Sequence, residues 1–449
     1  MEEASSVLTL HEALFSRPDD TVFSSGLGGE LTLSRFRSSL AQAVVAVSSL
    51  PGSKAALCIE DTELFCLGLA ACLYAGKEPV ILGNFTPSSL SDDSPLYSCV
   101  LTDFDVDLAS GLNLRSLCEA ASSCAGGSFN PPAPDPISPI TFYTSGSTGT
   151  PKQIVKTLEV MEEECRAVAP RAPVPHGAWL ASTVPPYHMY GMTFVIFMPL
   201  LRGIPFYGKR IKTTEELSAC MRPTILVSSP AFLKRFDPSL KPPTIVLALS
   251  AGAPLPEEAA AAFKGWCGCP VTEIYGSTET NVVGTRVIPG SEKRFKALSC
   301  ASLTPCENGT LLDSPLVPGS FMLDDRIVLD GDLFSVQGRR DCIVKIEEVR
   351  ISLDAIERLA LKAEGVYEAA ALTVPSGGRT VTALVLGVGD ARPYLESHGR
   401  RHALELSLRS IMKDEIPSVG LPRRFRFLDA LPVNAMGKRL KSSLAELFK

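Results

Sequence analysis

The residues of this 449-residue chain best suited to chemistry fall in four separated segments. The first is Tyr143-Thr144-Ser145-Gly146-Ser147-Thr148-Gly149-Thr150-Pro151-Lys152, which follows an apolar strand expected over 137–142. Glycines let the backbone approach an anion closely and take positive φ, so that successive N–H groups can form a nest. Ser and Thr hydroxyls add donors, and Lys152 adds a charge suited to a polyphosphate. The segment is not the GxxxxGK[ST] loop, because Lys152 follows proline and no Ser or Thr follows it. A plain flexible Ser/Gly loop is the competing reading. The preceding strand and the closing Pro-Lys weigh against it.

The second segment is Tyr275-Gly276-Ser277-Thr278-Glu279-Thr280. An aromatic ring beside glycine offers a flat surface for a purine, and Glu279 offers the hard oxygen that Mg²⁺ takes alongside phosphate oxygens. Taken alone, a Gly-Ser-Thr turn closed by glutamate explains it equally well. The third segment holds Asp332, Arg339 and Asp341, of which an aspartate suits a ribose diol and a surface ion pair is the ordinary alternative. In the fourth, Leu431-Pro432-Val433-Asn434-Ala435-Met436-Gly437-Lys438, a lysine on a glycine turn could reach into another domain. Most lysines near a C-terminus are simply solvated.

These segments need a scaffold, and the pattern around them supplies one. Short apolar runs at 55–59 and 79–82 flank a helix-like stretch, the strand–helix–strand rhythm of a parallel sheet. Further strand-like runs at 178–184, 224–227 and 244–249 each end in Pro, Ser or Gly before a helical pattern. Loops leaving the ends of parallel strands are where α/β sheets bind ligands. Residues 124–140, rich in Pro, Ser and Gly, read as a loop. The tail reads differently: strand and turn at 341–351, a helix at 353–362 that Ser352 can cap, strands at 369–374, 381–388 and 424–428, and a helix over 402–416. The fold class expected is α/β, a large domain of mixed, mainly parallel sheets flanked by helices over 1–339. A small α+β domain over 340–449 follows it, within the usual domain size.

Composition narrows the function. With 45% hydrophobic and 20% charged residues the chain is an ordinary globular protein. Its 13 cysteines are scattered and its histidines number five, which disfavours a zinc site or disulfide framework and fits reduced thiols in the cytoplasm. No basic, apolar leader opens the sequence, and the apolar windows 64–75 and 194–201 are too short to span a bilayer. From Arg339 onward there are 19 basic and 14 acidic residues, against 24 and 35 before it. A basic tail can face an acidic partner or the acidic larger domain. No aromatic residues interleave with the basic ones, so nucleic acid is not expected as a partner.

In this order and spacing the four segments resemble the adenylate-forming superfamily of acyl- and aryl-CoA ligases, luciferases and adenylation domains. Pro185-Pro186-Tyr187-His188-Met189-Tyr190-Gly191-Met192 resembles the aromatic/His loop beside the acyl site, and Ser250-Ala251-Gly252-Ala253-Pro254-Leu255 the strand end that contacts adenine. The resemblance implies that Thr144, Ser145, Gly146, Ser147, Thr148, Gly149 and Lys152 hold pyrophosphate. It places Ala251, Gly252, Ala253, Tyr275, Gly276, Ser277 and Thr278 around the nucleotide, Thr148 and Glu279 on Mg²⁺, and Asp332 and Arg339 on the ribose. Lys438, Lys152 and His188 become the catalytic groups, and Asp341 the hinge about which the small domain swings. The implied reaction is ATP-dependent formation of an acyl-adenylate from a carboxylic acid, followed by transfer to a phosphopantetheine thiol.

Two departures bear on the acceptor. Glu348, in Lys345-Ile346-Glu347-Glu348-Val349-Arg350, stands where most relatives carry glycine next to the thiol-bearing arm. The chain is also short for the family, and in both respects it resembles the small ligases of bacterial aryl-polyene clusters. That likeness implies a carrier protein as acceptor, with free coenzyme A the alternative. The aspartate that amino-acid adenylation domains place beyond their aromatic loop is missing, which disfavours an amino-acid substrate. Between aromatic and fatty acids the sequence does not decide. A P-loop motor and a non-catalytic nucleotide-binding module are the readings from other classes.

Overall fold

The computed structural model describes residues 7–26, 29–82, 85, 96–105, 110–121, 129–144, 152–339, 343–346, 349–376, 379–433 and 441–448. A six-stranded sheet runs in the order Gly111–Asn113, Cys99–Thr102, Lys54–Cys58, Glu78–Ile81, Pro139–Thr144, Lys152–Thr157. Every neighbouring pair is parallel except the last, an antiparallel hairpin. Helix Thr62–Tyr74, which takes in most of the apolar window 64–75, is apolar around nearly its whole circumference because protein surrounds it. Asp61 starts it by accepting from the N–H groups of Glu63 (3.0 Å) and Leu64 (3.1 Å).

The second sheet has eleven strands. Its interior is parallel: Val22–Gly26, Phe206–Tyr207, Trp179–Ser182, Thr224–Ser228, Ile245–Ser250 and Val271–Ser277 lie side by side in that order. Thr224–Ser228 is buried at every residue, as a strand covered on both faces must be. Ile225 and Val227 enter the core shared with the first sheet and its helices, while Leu226 enters a second core built on helix Glu257–Cys267. Antiparallel strands close the far edge, ending in the hairpin Asp325–Asp330/Leu333–Arg339.

The apolar stretch after His188 forms a π-helix, Met192–Phe197, that continues into helix Met198–Arg202. Among the described residues no helix is long and apolar enough to cross a membrane. The tail builds hairpin Ile343–Ile346/Val349–Ser352, helix Leu353–Ala360, strands Glu368–Ser376, Arg379–Gly387 and Arg424–Leu428, and helix His398–Met412. Ser352 Oγ accepts from Ala355 N at 3.2 Å, the expected cap. The last long helix starts at His398 rather than 402, because Ser397 caps it by accepting from Arg400 N. The buried clusters of this tail draw only on residues from 344 onward.

Candidate active site

The parallel strands end along one edge. Ser182 lies beside Val227, Ser228 beside Ser250 and Ser250 beside Glu273, so the loops that follow them share one rim. Such a rim is where an open parallel sheet binds ligands.

The Ser/Thr/Gly segment connects the two strands of the Pro139–Thr144/Lys152–Thr157 hairpin, with Thr144 and Lys152 as register partners. Ser145, Gly146, Ser147, Thr148 and Gly149 lie outside the described residues. A P-loop runs from a strand into a helix; here the described chain resumes after the segment as strand Lys152–Thr157. Lys152 leaves the hairpin toward the 275–280 segment, and its ammonium meets the Glu279 carboxylate at 2.8 Å.

Glu279 sits on a tight turn. Ser277 N donates to Thr280 Oγ1 (2.9 Å) and Thr280 N to Ser277 Oγ (3.2 Å), while Thr278 and Glu279 remain half-buried at the tip. Gly276 is required there: a Cβ would stand 2.2 Å from the Asn281 carbonyl oxygen. Burial works to raise the Glu279 carboxyl, but the Lys152 hydrogen bond and charge outweigh it and hold the group below the ordinary range. It is therefore an ionised, hard-oxygen donor. Among the described residues no three His, Cys, Asp or Glu side chains gather as a metal cluster. One carboxylate is nevertheless what Mg²⁺ needs when phosphates and water complete its shell. The donor fits the ion.

Two buried groups that the sequence reading passed over stand beneath this turn. Lys156 is 3% exposed, and its ammonium donates to the carbonyls of Glu279 (2.8 Å) and Leu316 (3.4 Å). Burial pushes it down to about 8, against the opposing pull of Glu164 and Glu279. Glu164 is 1% exposed, and burial raises its carboxyl although Thr193 Oγ1 (2.6 Å) and Val282 N (2.9 Å) donate to it. The available signal was alternation: Lys152, Ile154 and Lys156 share one strand face, with Ile154 buried.

Tyr275 lies half-buried two residues before the end of strand Val271–Ser277, its ring 5.4 Å edge-on from Phe334 and 5.7 Å from Phe295. Ala251, Gly252 and Ala253 follow the adjacent strand, with Gly252 at φ +90° and open space where a Cβ would project. Buried Glu273 fixes this loop by accepting from Leu255 N (2.8 Å) while pairing with Arg286. Tyr275 and residues 251–253 thus flank one position on the rim.

Asp332 is not there. It sits with Gly331 in the two-residue turn of the last hairpin, where Gly331 has φ +63°. Its carboxylate meets only exposed Lys296, at 3.3 Å, among its described ion pairs. Strand Leu333–Arg339 separates Asp332 from Arg339 by roughly 20 Å at ~3.3 Å per residue. The two cannot grip one ribose. The register partner of Arg339 is Asp325, and Tyr275 Oη donates to Asp325 Oδ2 at 2.6 Å. Asp330-Gly331-Asp332 between alternating residues was the hairpin signal that should have moved the assignment.

His188 follows strand Trp179–Ser182 through a short loop. Its ring packs edge-on against Tyr187 at 4.8 Å, and Tyr187 packs against Phe85 at 4.8 Å. Its carbonyl accepts from Met192 N at 2.6 Å and so anchors the π-helix. Of Arg339 only the backbone is described, and Asp341, Glu348 and Lys438 lie outside the described residues.

Residues 88–319 match the family of AMP-binding enzymes, a span that holds Thr144, Lys152, His188, Ala251–Ala253 and Tyr275–Glu279. The chain is 28% identical over 305 residues to a 4-coumarate–CoA ligase of Rhodobacter capsulatus, covering 66% of this chain and 73% of that one. It is 25% identical over 365 residues to a 3-hydroxybenzoate/4-hydroxybenzoate–CoA ligase of Thauera aromatica, covering 71% and 67%. In fold it is similar to ATP-bound MatB from Rhodopseudomonas palustris, with a TM-score of 0.80, 20% identity, and coverage of 98% of this chain and 99% of that one. With more than half its length matched and the rim built as described, the chain belongs to the AMP-binding enzyme family of the adenylate-forming superfamily.

Proposed function

We propose that this chain, an AMP-forming acid–thiol ligase, activates an aromatic carboxylic acid as its adenylate in a reducing, cytoplasmic setting and passes the acyl group to coenzyme A. The observation that carries the reading is the Lys152–Glu279 contact. It brings the lysine of the phosphate loop against a carboxylate 127 residues away, at the rim that Tyr275 and Ala251–Ala253 also flank. The aromatic acid is suggested by the relatives named above and by the Phe85–Tyr187–His188 ring contacts. A division into 1–339 and 340–449, with Asp341 as hinge, is part of the proposal, and the separate tail cores support it.

The chemistry follows from charge. A carboxylate must approach an α-phosphate that is itself anionic, so cations must gather where charge accumulates. Lys152 would hold the outer phosphates and Lys438 the reacting carboxylate and α-phosphate. His188, edge-on against Tyr187, would close the acid site. Asp325 and Arg339 would take the ribose, and Tyr275 the adenine. Mg²⁺ held by Glu279 and Thr148 would neutralise phosphate oxygens. Exchange of pyrophosphate into ATP is expected only when a suitable acid is present. Acid-independent hydrolysis to ADP, with no exchange across a broad acid panel, would replace this reading with a motor. Nucleotide binding without either reaction would leave the non-catalytic module.

The acceptor divides two readings. Lys209, Arg210 and Lys212 follow strand Phe206–Tyr207 onto the rim, where Ile211 N donates to Ser182 O at 2.7 Å, and Arg210 acts electrostatically on Tyr187. A basic run beside the acid site suits the phosphates of free coenzyme A. The carrier-protein reading rests on the basic tail, whose candidate docking residues are Arg400, Arg401, Arg423, Arg424 and Arg426. Arg424 and Arg426 instead lie over the Phe448 ring, and Arg426 Nε donates to Leu447 O at 2.6 Å, so they secure the end of the chain. Exposed Arg400 and Arg423 keep that reading as the second one. Lys209→Glu/Lys212→Glu is expected to raise KM for coenzyme A about tenfold, losing roughly one charge-assisted contact. Faster loading of a phosphopantetheinyl carrier than of coenzyme A, lost on Arg400→Glu/Arg423→Glu and in high salt, would establish the carrier instead.

A further inference from the structure

Glu279 is gripped twice, once at its carboxylate by Lys152 and once at its carbonyl oxygen by Lys156. Both lysines project from one face of strand Lys152–Thr157, the first at the rim and the second in the interior. The buried ammonium faces Glu164 from helix Leu158–Val168 and Glu279 from the turn. Glu164 in turn accepts from Val282, just beyond the turn, and from Thr193, in the π-helix behind His188. Two ionisable groups this deep are a costly way to fill a core, since apolar side chains of similar volume often serve as well or better. What they supply is placement, because each is directed by hydrogen bonds onto a segment beside the rim.

We propose that Lys156 is a positioning residue which, with Glu164 as its buried counter-charge, fixes the Ser277–Thr280 turn in the setting from which the Glu279 carboxylate meets magnesium. This rests on the reading of Glu279 as the magnesium ligand. Methionine at position 156 would fill the same space without gripping the carbonyl, leaving the turn free to rotate its carboxylate away. Arginine would keep the charge, but its planar fork cannot place one nitrogen on both carbonyls as the ammonium does.

The test is calorimetric binding to the full chain of AMP, of ATP without metal, and of ATP with MgCl₂. The quantity read is the gain in ATP affinity that magnesium brings. Lys156→Met is expected to lower that gain at least tenfold while AMP affinity stays within twofold of wild type, and Lys156→Arg to lie between the two. Glu279→Gln, the reference, is expected to abolish the gain. A wild-type gain in Lys156→Met beside a lost gain in Glu279→Gln overturns the positioning role alone. So does a fall in AMP affinity that matches the fall for magnesium-ATP, which is general damage to the site. Where Lys156→Met fails to fold, Lys156→Arg decides: a threefold or larger loss is expected, and an unchanged gain overturns the proposal. An unchanged gain in Glu279→Gln overturns the metal reading beneath it.

Discussion

Lys438→Ala is expected to slow acyl-adenylate formation about 10²–10³-fold, the effect of removing one preorganised charge from a developing transition state. The reacting carboxylate and the α-phosphate are both anions. At ~4 Å in an effective dielectric of ~20 their repulsion is about 4 kcal/mol, and a cation between them turns it into attraction. Lysine can supply this as a compact charge on a long stem. Acyl transfer from a supplied acyl-adenylate is expected to fall far less, because in the proposed swing Lys438 has left the rim by then. Pyrophosphate exchange measures the first step and thioester formation from added adenylate the second. Equal losses in both would contradict the swing about Asp341.

Asp325→Ala is expected to weaken ATP about 10–100-fold, while Asp332→Ala leaves it within about twofold. The difference is one of placement. Asp325 stands opposite Arg339 and accepts the Tyr275 hydroxyl, so its loss removes a charged acceptor, for which ~1.5–3 kcal/mol is typical, and unties the ring as well. Asp332 makes an exposed pair with Lys296 on a hairpin turn, and such pairs contribute about 0–1 kcal/mol. Asp325→Asn separates the two roles of Asp325, since it keeps an oxygen for Tyr275 and loses the charge. Kd for ATP, measured with AMP alongside, reads both. A large loss in Asp332→Ala with Asp325→Ala unaffected would return the ribose to Asp332.

Much of the fold was legible because its signals are short-range. Apolar runs at 55–59 and 79–82 became parallel neighbours, and Ser352 became a cap, since a strand's burial and a helix's first turn are set within a few residues. Which strands join which of the two sheets was not legible, because both sheets present the same strand–helix–strand rhythm and only packing divides them. The π-helix behind His188 was hidden for a similar reason: a run apolar at all but Thr193 carries no periodicity to read. Asp332 misled because Gly-Asp serves equally as a ligand motif and as a hairpin turn. The strand length that removes it from Arg339 is a property of the register.

The sequence by itself supplied the candidate groups: a segment of hydroxyls and glycines ending in Lys152, Glu279 in a Gly-Ser-Thr-Glu run, an aromatic at 275, and Lys438 in the tail. Those are properties of residue type and local spacing, which no packing alters. The tertiary structure alone decided which groups meet. Glu279 faces Lys152 and rests on Lys156, Asp325 takes the Tyr275 hydroxyl while Asp332 pairs with Lys296, and Arg424 and Arg426 turn inward to Phe448. Each of these depends on sheet order and register between segments far apart in the chain. A shift of one residue along a strand moves its side chains to the other face, and a longer strand carries its turn out of reach. Contacts of that kind follow from how whole sheets pack, and no short stretch of sequence contains them.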